Sequence, residues 1–167
     1  VIEDLGHGTA IQVMVEGDPL KRVENLTAPR TLHHILDAIG ALIETQTKER
    51  FMTTKTAPDG VPWQAWSDSY AEQQERSGNK NRSLLIHGGM GSQHLYRANT
   101  HIVHDGDMSV EVGNNVRYGA VHQHGADFSI VSTGRTVSIP ARPYLGISAE
   151  DGREIDDLVG KLMESLL

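Results

Sequence analysis

The chain has 167 residues, no cysteine and a formal charge of −7 with histidine neutral. That length suits one domain, able to bury about 70% of the surface its unfolded chain exposes, and the lack of cysteine excludes both disulfides and thiolate metal centres. The acidic balance works against binding phosphate backbones or anionic lipid, and no apolar run approaches the roughly 18 residues of a membrane span.

Val1-Ile2-Glu3-Asp4-Leu5 has neither the basic nor the apolar region of a signal peptide, so a soluble intracellular protein is expected. Ile11, Val13 and Val15 alternate with Gln12, Met14 and Glu16 ahead of Gly17-Asp18-Pro19, the pattern of a half-buried strand ending in a turn. Pro29 and Thr31 open a long helix, with Thr31 as N-cap and Asp37 near that end. Leu32, Ile35, Leu36, Ile39, Leu42, Ile43 and Gln46 recur along one face of it, and it runs toward Phe51. The next thirty or so residues are polar and broken by Pro58-Asp59-Gly60 and Pro62, with a short helix capped by Ser67 through Gln74. Both tryptophans, Trp63 and Trp66, fall in this loop-like stretch; rings this large call for a partner surface.

Leu84, Leu85 and Ile86 precede Gly88-Gly89-Met90-Gly91 and a helix over Ser92–Thr100. Asp105-Gly106-Asp107 between Ile102–His104 and Met108–Val112 predicts a hairpin, whose second strand ends at Gly113-Asn114-Asn115. Tyr118–His124 forms a short helical turn closed by Gly125, and Val137 and Ile139 mark a last strand stopped by Pro140-Ala141-Arg142-Pro143. Ser148 opens a C-terminal helix, with Asp151 placed to cap it back and Ile155, Leu158, Val159, Leu162 and Leu166 as its apolar stripe. The expected fold is α+β: a small antiparallel sheet packed by the long helix and the C-terminal helix, with a long mobile loop. Residues 1–167 form a single domain with a loop insertion at about 52–83.

The residues offer little chemistry. His122-Gln123-His124 on a strand would point both rings one way, and His87, His94, His101, His104 or Asp127 would have to complete a metal site at no established spacing. If that segment is helical the two rings diverge, so hydrogen-bonded surface histidines are the better reading, and a metal-dependent hydrolase on His122 and His124 is the alternative function. Gly88-Gly89-Met90-Gly91 lacks the Lys-Ser/Thr of a phosphate-binding loop and is read as a joint or helix start. No Gly-x-Ser-x-Gly is present, and the carboxylate pairs Glu150-Asp151 and Asp156-Asp157 complement a helix start. No catalytic residue, metal or cofactor is assigned, and a small regulatory binding module remains a third reading.

Four segments together resemble one family. They are Pro58-Asp59-Gly60 with Trp63 and Trp66; Leu84-Leu85-Ile86-His87-Gly88-Gly89-Met90; Val112-Gly113 followed by Tyr118-Gly119-Ala120-Val121-His122-Gln123-His124-Gly125; and Ile139-Pro140-Ala141-Arg142-Pro143-Tyr144-Leu145-Gly146-Ile147-Ser148 running into Glu150-Asp151. The chain in this respect is similar to the phage virion morphogenesis family, the tail-completion proteins of contractile-tailed, Mu-like phages and prophages. The likeness covers roughly residues 30 to 167. Tyr118, His122, Gln123 and Gly125 match its Tyr-Ala-x-x-His-Gln-x-Gly, with Gly119 in place of alanine, and Met90 departs from the commoner leucine.

The resemblance implies a structural protein that completes or terminates the tail tube and helps join tail to head. It implies a ring of identical subunits, six-fold, contacting the tail tube and the neck or head-completion proteins, in the host cytoplasm during assembly and then in the virion tail. No membrane and no specific nucleic acid is expected as partner, although DNA would pass through the ring. Subunit contacts are expected at Trp63, Trp66, Tyr118, His122, Gln123 and Arg142, with Gly113, Gly125, Pro140 and Pro143 shaping turns. Arg142 is expected to pair with a carboxylate, in the chain or across a subunit contact. Asp105, Asp107 and Glu111 are expected to face the lumen or solvent.

Overall fold

The computed structural model describes residues 2–4, 9–14, 29–78, 84–85, 95–106 and 108–165. In chain order the elements are β1 (Ile2–Asp4), β2 (Thr9–Met14), α1 (Pro29–Glu49) continuing as a π-helical turn (Arg50–Thr54), α2 (Asp68–Arg76), α3 (Leu95–Ala98), β3 (Thr100–His104), β4 (Ser109–Asn114), α4 (Gly119–His124), β5 (Ala126–Ile130), β6 (Arg135–Ile139) and α5 (Ala149–Glu164). The fold is α+β, as the order of patterns predicts. Among the described residues no helix is long and apolar enough to cross a membrane.

The main sheet has the order β1-β2-β4-β3, antiparallel throughout. Asp105-Gly106 makes the tight connection between β3 and β4, where the Asp-Gly signal places it. The distant strand β2 joins their open edge with Ile11 opposite Val112 and Val13 opposite Val110. Ile11, Val110 and Val112 are buried on one face, because alternate residues of a strand share a face. Against that face lies α1, whose Ile35, Leu36, Ile39 and Ile43 are buried at helical spacing, with Leu32 and Leu42 half-buried at the margin. The stripe of α5 packs on the same core through Ile155, with Leu158, Val159 and Leu162 beside it; Leu166 lies outside the described residues. A capping box starts α5: Asp151 N donates to Ser148 Oγ at 3.0 Å and Ser148 N to Asp151 Oδ2 at 2.6 Å.

Several boundaries differ from expectation. The helix α1 begins at Pro29, whose fixed φ and missing N–H suit a first helical position, so Thr31 lies inside it and caps nothing. Asp37 faces β3 and bonds His101. The helix expected over 92–100 is described only at Leu95–Ala98, and Thr100 already belongs to β3. Gly113 is a strand residue, opposite Thr100 on one side and Ala10 on the other; the turn follows it, with Val116 N donating to Asn114 Oδ1 at 3.2 Å. The strands β1 and β5 add to the expected elements. Val15, the Gly17-Asp18-Pro19 turn, the Gly88–Gly91 run, His87, His94 and Asp107 lie outside the described residues.

The largest departure is at 52–66. The expected break at Pro58-Asp59-Gly60 is a tight turn and the expected short helix forms as α2, but the stretch before it also carries the π turn and a bridge between Thr56 and Pro62. Lys55, at φ 54, closes the π turn by donating its N–H to Arg50 O at 3.0 Å. Gly60 N bonds Ala57 O at 2.9 Å, and Trp63 N bonds Lys55 O at 2.8 Å. The cause is Trp63, only 6% exposed, whose ring meets Phe51 edge-on at 5.5 Å and draws its neighbours onto the core.

Candidate functional site

Three of the four motif segments converge on Tyr144, which is fully buried with its ring 5.0 Å from that of Phe51. The first stretch to reach it is α4. Gln123 uses both ends of its amide: Nε2 donates to Leu145 O at 3.0 Å, and Oε1 accepts from Tyr144 N at 3.0 Å and Leu145 N at 3.1 Å. Arg142 N donates to His122 O at 2.7 Å, so α4 and the 140–145 segment are joined side by side. Asn114 Nδ2 donates to Tyr144 Oη at 3.0 Å and to Asn99 Oδ1 at 2.9 Å, tying β4 and α3 into the same cluster. A Cβ at Gly119 would lie 2.7 Å from Asn114 Oδ1 and 3.0 Å from Tyr144 Oη. A larger residue there would have to displace the Asn114 amide or the Tyr144 hydroxyl.

The Trp63 stretch reaches the cluster from the other side. Trp63 Nε1 donates to Pro143 O at 2.8 Å. Arg142 donates from Nε to Gln64 O at 2.8 Å and from Nη2 to Ala65 O at 3.2 Å. Pro58 packs over Gly146 so closely that a Cβ there would meet Pro58 Cγ at 2.6 Å. Beneath them Arg50 donates from Nη1 to Tyr144 O at 3.1 Å and from Nη2 to Asp151, the capping residue of α5. Of the second segment, Leu84 and Leu85 are described and pack half-buried against the core.

These contacts place each expected residue within the subunit. Trp63, Gln123 and Arg142 are buried at 6%, 4% and 5% exposure and bind the chain's own backbone. Within the subunit the planar fork of Arg142 donors bridges two carbonyls, and among the described residues no carboxylate pairs with it. Trp66, stacked edge-on with Tyr70 at 5.4 Å, and Tyr118, stacked with His122 at 5.9 Å, lie nearer the surface. The ring of His122 is pulled to a lower pKa by burial and then by the Arg142 charge, and its Nδ1 is buried with no hydrogen-bond partner. His124 is exposed. Residues two apart in a helix point roughly 200° apart, so the His122–His124 pair does not converge. Among the described residues no group of three or more His, Asp or Glu could hold a metal ion.

Gly125 is the sharpest turn in the cluster. Its φ of 76° and ψ of 164° belong to a region essentially open only to glycine, and a Cβ would meet Ala141 N at 2.8 Å. Gly125→Ala is expected to lose about 2 kcal/mol of unfolding free energy, read by urea denaturation. A change under about 0.5 kcal/mol, the range of an ordinary surface substitution, would mean the turn relaxes freely.

A second polar group joins α1 to β3. His101 Nδ1 bonds Glu44 at 2.7 Å and Nε2 bonds Asp37 at 3.0 Å, over Gly40, where a Cβ would stand 2.5 Å from the imidazole. Burial alone would lower this histidine's pKa; the hydrogen bonds and charges of Asp37 and Glu44 outweigh it and raise it. A raised pKa stabilises the folded chain fully below the unfolded value near 6.5, and that contribution is lost as pH rises through the folded pKa. Thermal melts from pH 6 to pH 9 are therefore expected to show a fall in wild-type Tm that is shallower in His101→Gln. Parallel profiles would remove His101 as the cause. The hairpin acids are also paired: Asp105 with His33 at 2.8 Å and Glu111 with His104 at 3.2 Å.

The model of the phage virion morphogenesis family matches residues 17–164. The chain is 26% identical over 149 residues to the putative capsid assembly protein G of Escherichia phage Mu, covering 89% of this chain and 88% of that one. It is 27% identical over 121 residues to the Mu-like prophage FluMu G protein 1 of Haemophilus influenzae, covering 72% and 73%. To the tail completion protein S of Escherichia phage P2 it is 26% identical over 117 residues, covering 68% and 73%. No solved structure matches.

Proposed function

The chain belongs to the phage virion morphogenesis family, and from that premise we propose that it completes or terminates the tail tube and helps join tail to head, acting as a ring of its own copies. The observation that supports this reading best is how the family's residues are used. Gln123, Arg142 and Trp63 bond the chain's own backbone, and Gly125 makes the turn out of α4. A residue set devoted to shape suits a part whose work is to fit other parts. The relative named as a tail completion protein points the same way. A ring at the tube end would contact the tail tube on one side and neck or head-completion proteins on the other. The net charge of −7 would keep DNA passing through it from adhering.

The reading is tested by inactivating the gene in the phage or prophage that carries it and examining induced lysates by electron microscopy. Filled heads without tails, beside unfinished or overgrown tubes, are expected, and complementation with the intact chain should restore virions. Normal virions in the knockout would rule the role out.

A further inference from the structure

The hairpin β5–β6 is a half-finished layer. Its register sets Phe128 opposite Val137, Ala126 opposite Ile139 and Ile130 opposite Arg135, with Asp127, Ser129, Thr136 and Ser138 on the other face. That alternation is the pattern of a sheet with one face packed and one in water. Yet Phe128, Ile130 and Val137 are 45%, 40% and 42% exposed, and Val131 at the tip is 97% exposed. The two strands contact chiefly each other, and two strands alone are marginal in water. Neither strand carries the lysine or proline that commonly guards a free edge.

Charge indicates what covers it. Residues 126–139 contain one acid, Asp127, and one base, Arg135, so the formal −7 of the chain lies wholly outside the hairpin. The apolar face carries the base and not the acid, which suits an acidic surface such as a second copy of this chain presents and disfavours a basic partner. The four exposed side chains offer on the order of 400 Å² of residue surface, about half of the ~800 Å² per partner of a specific interface. Hairpin strands with unpaired edges supply backbone donors and acceptors for the rest.

We propose that the β5–β6 hairpin is an arm that packs its Phe128/Ile130/Val137 face and its Val131 tip onto a neighbouring copy of this chain. The inference rests on the self-assembling ring proposed above and assigns its contact to a surface other than the Trp63 loop. An arm on one subunit received by a different patch on the next is a heterologous contact, the kind that closes into rings.

The test uses the full chain and the double variant Phe128→Thr with Val137→Thr, which keeps β-forming residues at exposed positions. Sedimentation equilibrium across a wide concentration range reads association, and circular dichroism with thermal melting reads the fold. Wild-type assembly weakened about tenfold or more in the variant, with its melting unchanged, is the expected result. Since the chain has no cysteine, Val131→Cys should react with a maleimide in dilute monomer and be protected from it in the assembled state. Equal assembly of variant and wild type would overturn the arm and leave the ring standing; if infectivity alone fell, the arm would serve a different virion protein, which also overturns the inference. A wild-type chain that stays monomeric at all concentrations would overturn arm and ring together.

Discussion

Asp151→Ala is expected to cost about 3–5 kcal/mol of unfolding free energy, among the largest effects of any single substitution in this chain. Asp151 and Arg50 are ion-paired with side chains only 12% and 7% exposed. Removing the carboxylate leaves a buried guanidinium facing a single carbonyl, that of Tyr144. An arginine does not escape by losing its proton, although burial lowers its pKa and only the partner opposes that. The same carboxylate also accepts from Ser148 N, so the start of α5 frays as well. Ser148→Ala isolates the cap and should cost about 1 kcal/mol. Arg50→Met in the Asp151→Ala background removes the stranded charge and should recover part of the loss. The double-mutant cycle is read by urea denaturation. A single-variant cost no larger than that of Ser148→Ala would mean the pair adds nothing beyond the cap.

What the sequence displays clearly is local. The faces of α1 and α5, the Asp-Gly turn of β3–β4, the Gly125 stop and the Ser148–Asp151 cap are each set by residues within a few positions of one another. The polar knot around Tyr144 is different in kind. Trp63 and Pro143 are 80 positions apart, Arg142 and Gln64 are 78, and Arg50 and Asp151 are 101. No periodicity reports such pairings. A polar, proline-broken stretch such as 52–66 looks like a free loop because its backbone partners are supplied from elsewhere. Arg50 illustrates the same limit: at the end of an amphipathic helix it reads as a solvated charge, and only the π turn carries it inward.

Two features carry a local signal in the sequence. Ala126-Asp127-Phe128-Ser129-Ile130 alternates strictly and forms β5, but it follows the Gly125 stop directly, where a loop is the usual continuation. Histidines at 33, 101 and 104 each face a carboxylate from another element or strand. An acidic chain rich in histidine invites such pairs, and they leave Asp105 and Glu111 bonded to imidazoles at the β3–β4 hairpin.

Gln123→Leu is expected to cost about 3 kcal/mol, because three backbone groups lose their partner at once. The N–H groups of Tyr144 and Leu145 and the carbonyl of Leu145 meet the one amide, and all are buried. Leucine fills the space without satisfying any of them, so each group bears its own desolvation penalty. Gln123→Glu separates the two halves of the contact: a carboxylate still accepts from both N–H groups and no longer donates to Leu145 O. It should therefore retain protection of the Tyr144 and Leu145 amides from hydrogen exchange if the acceptor half dominates, while Gln123→Leu should lose it. The core around Ile39 and Val110 should stay protected in both, since it is held by α1 and the main sheet. Uniform loss of protection across the chain would mean that the knot and the core unfold as one unit. Unchanged protection at 144 and 145 in the leucine variant would show that packing around Tyr144, and not the glutamine, fixes the segment that begins α5.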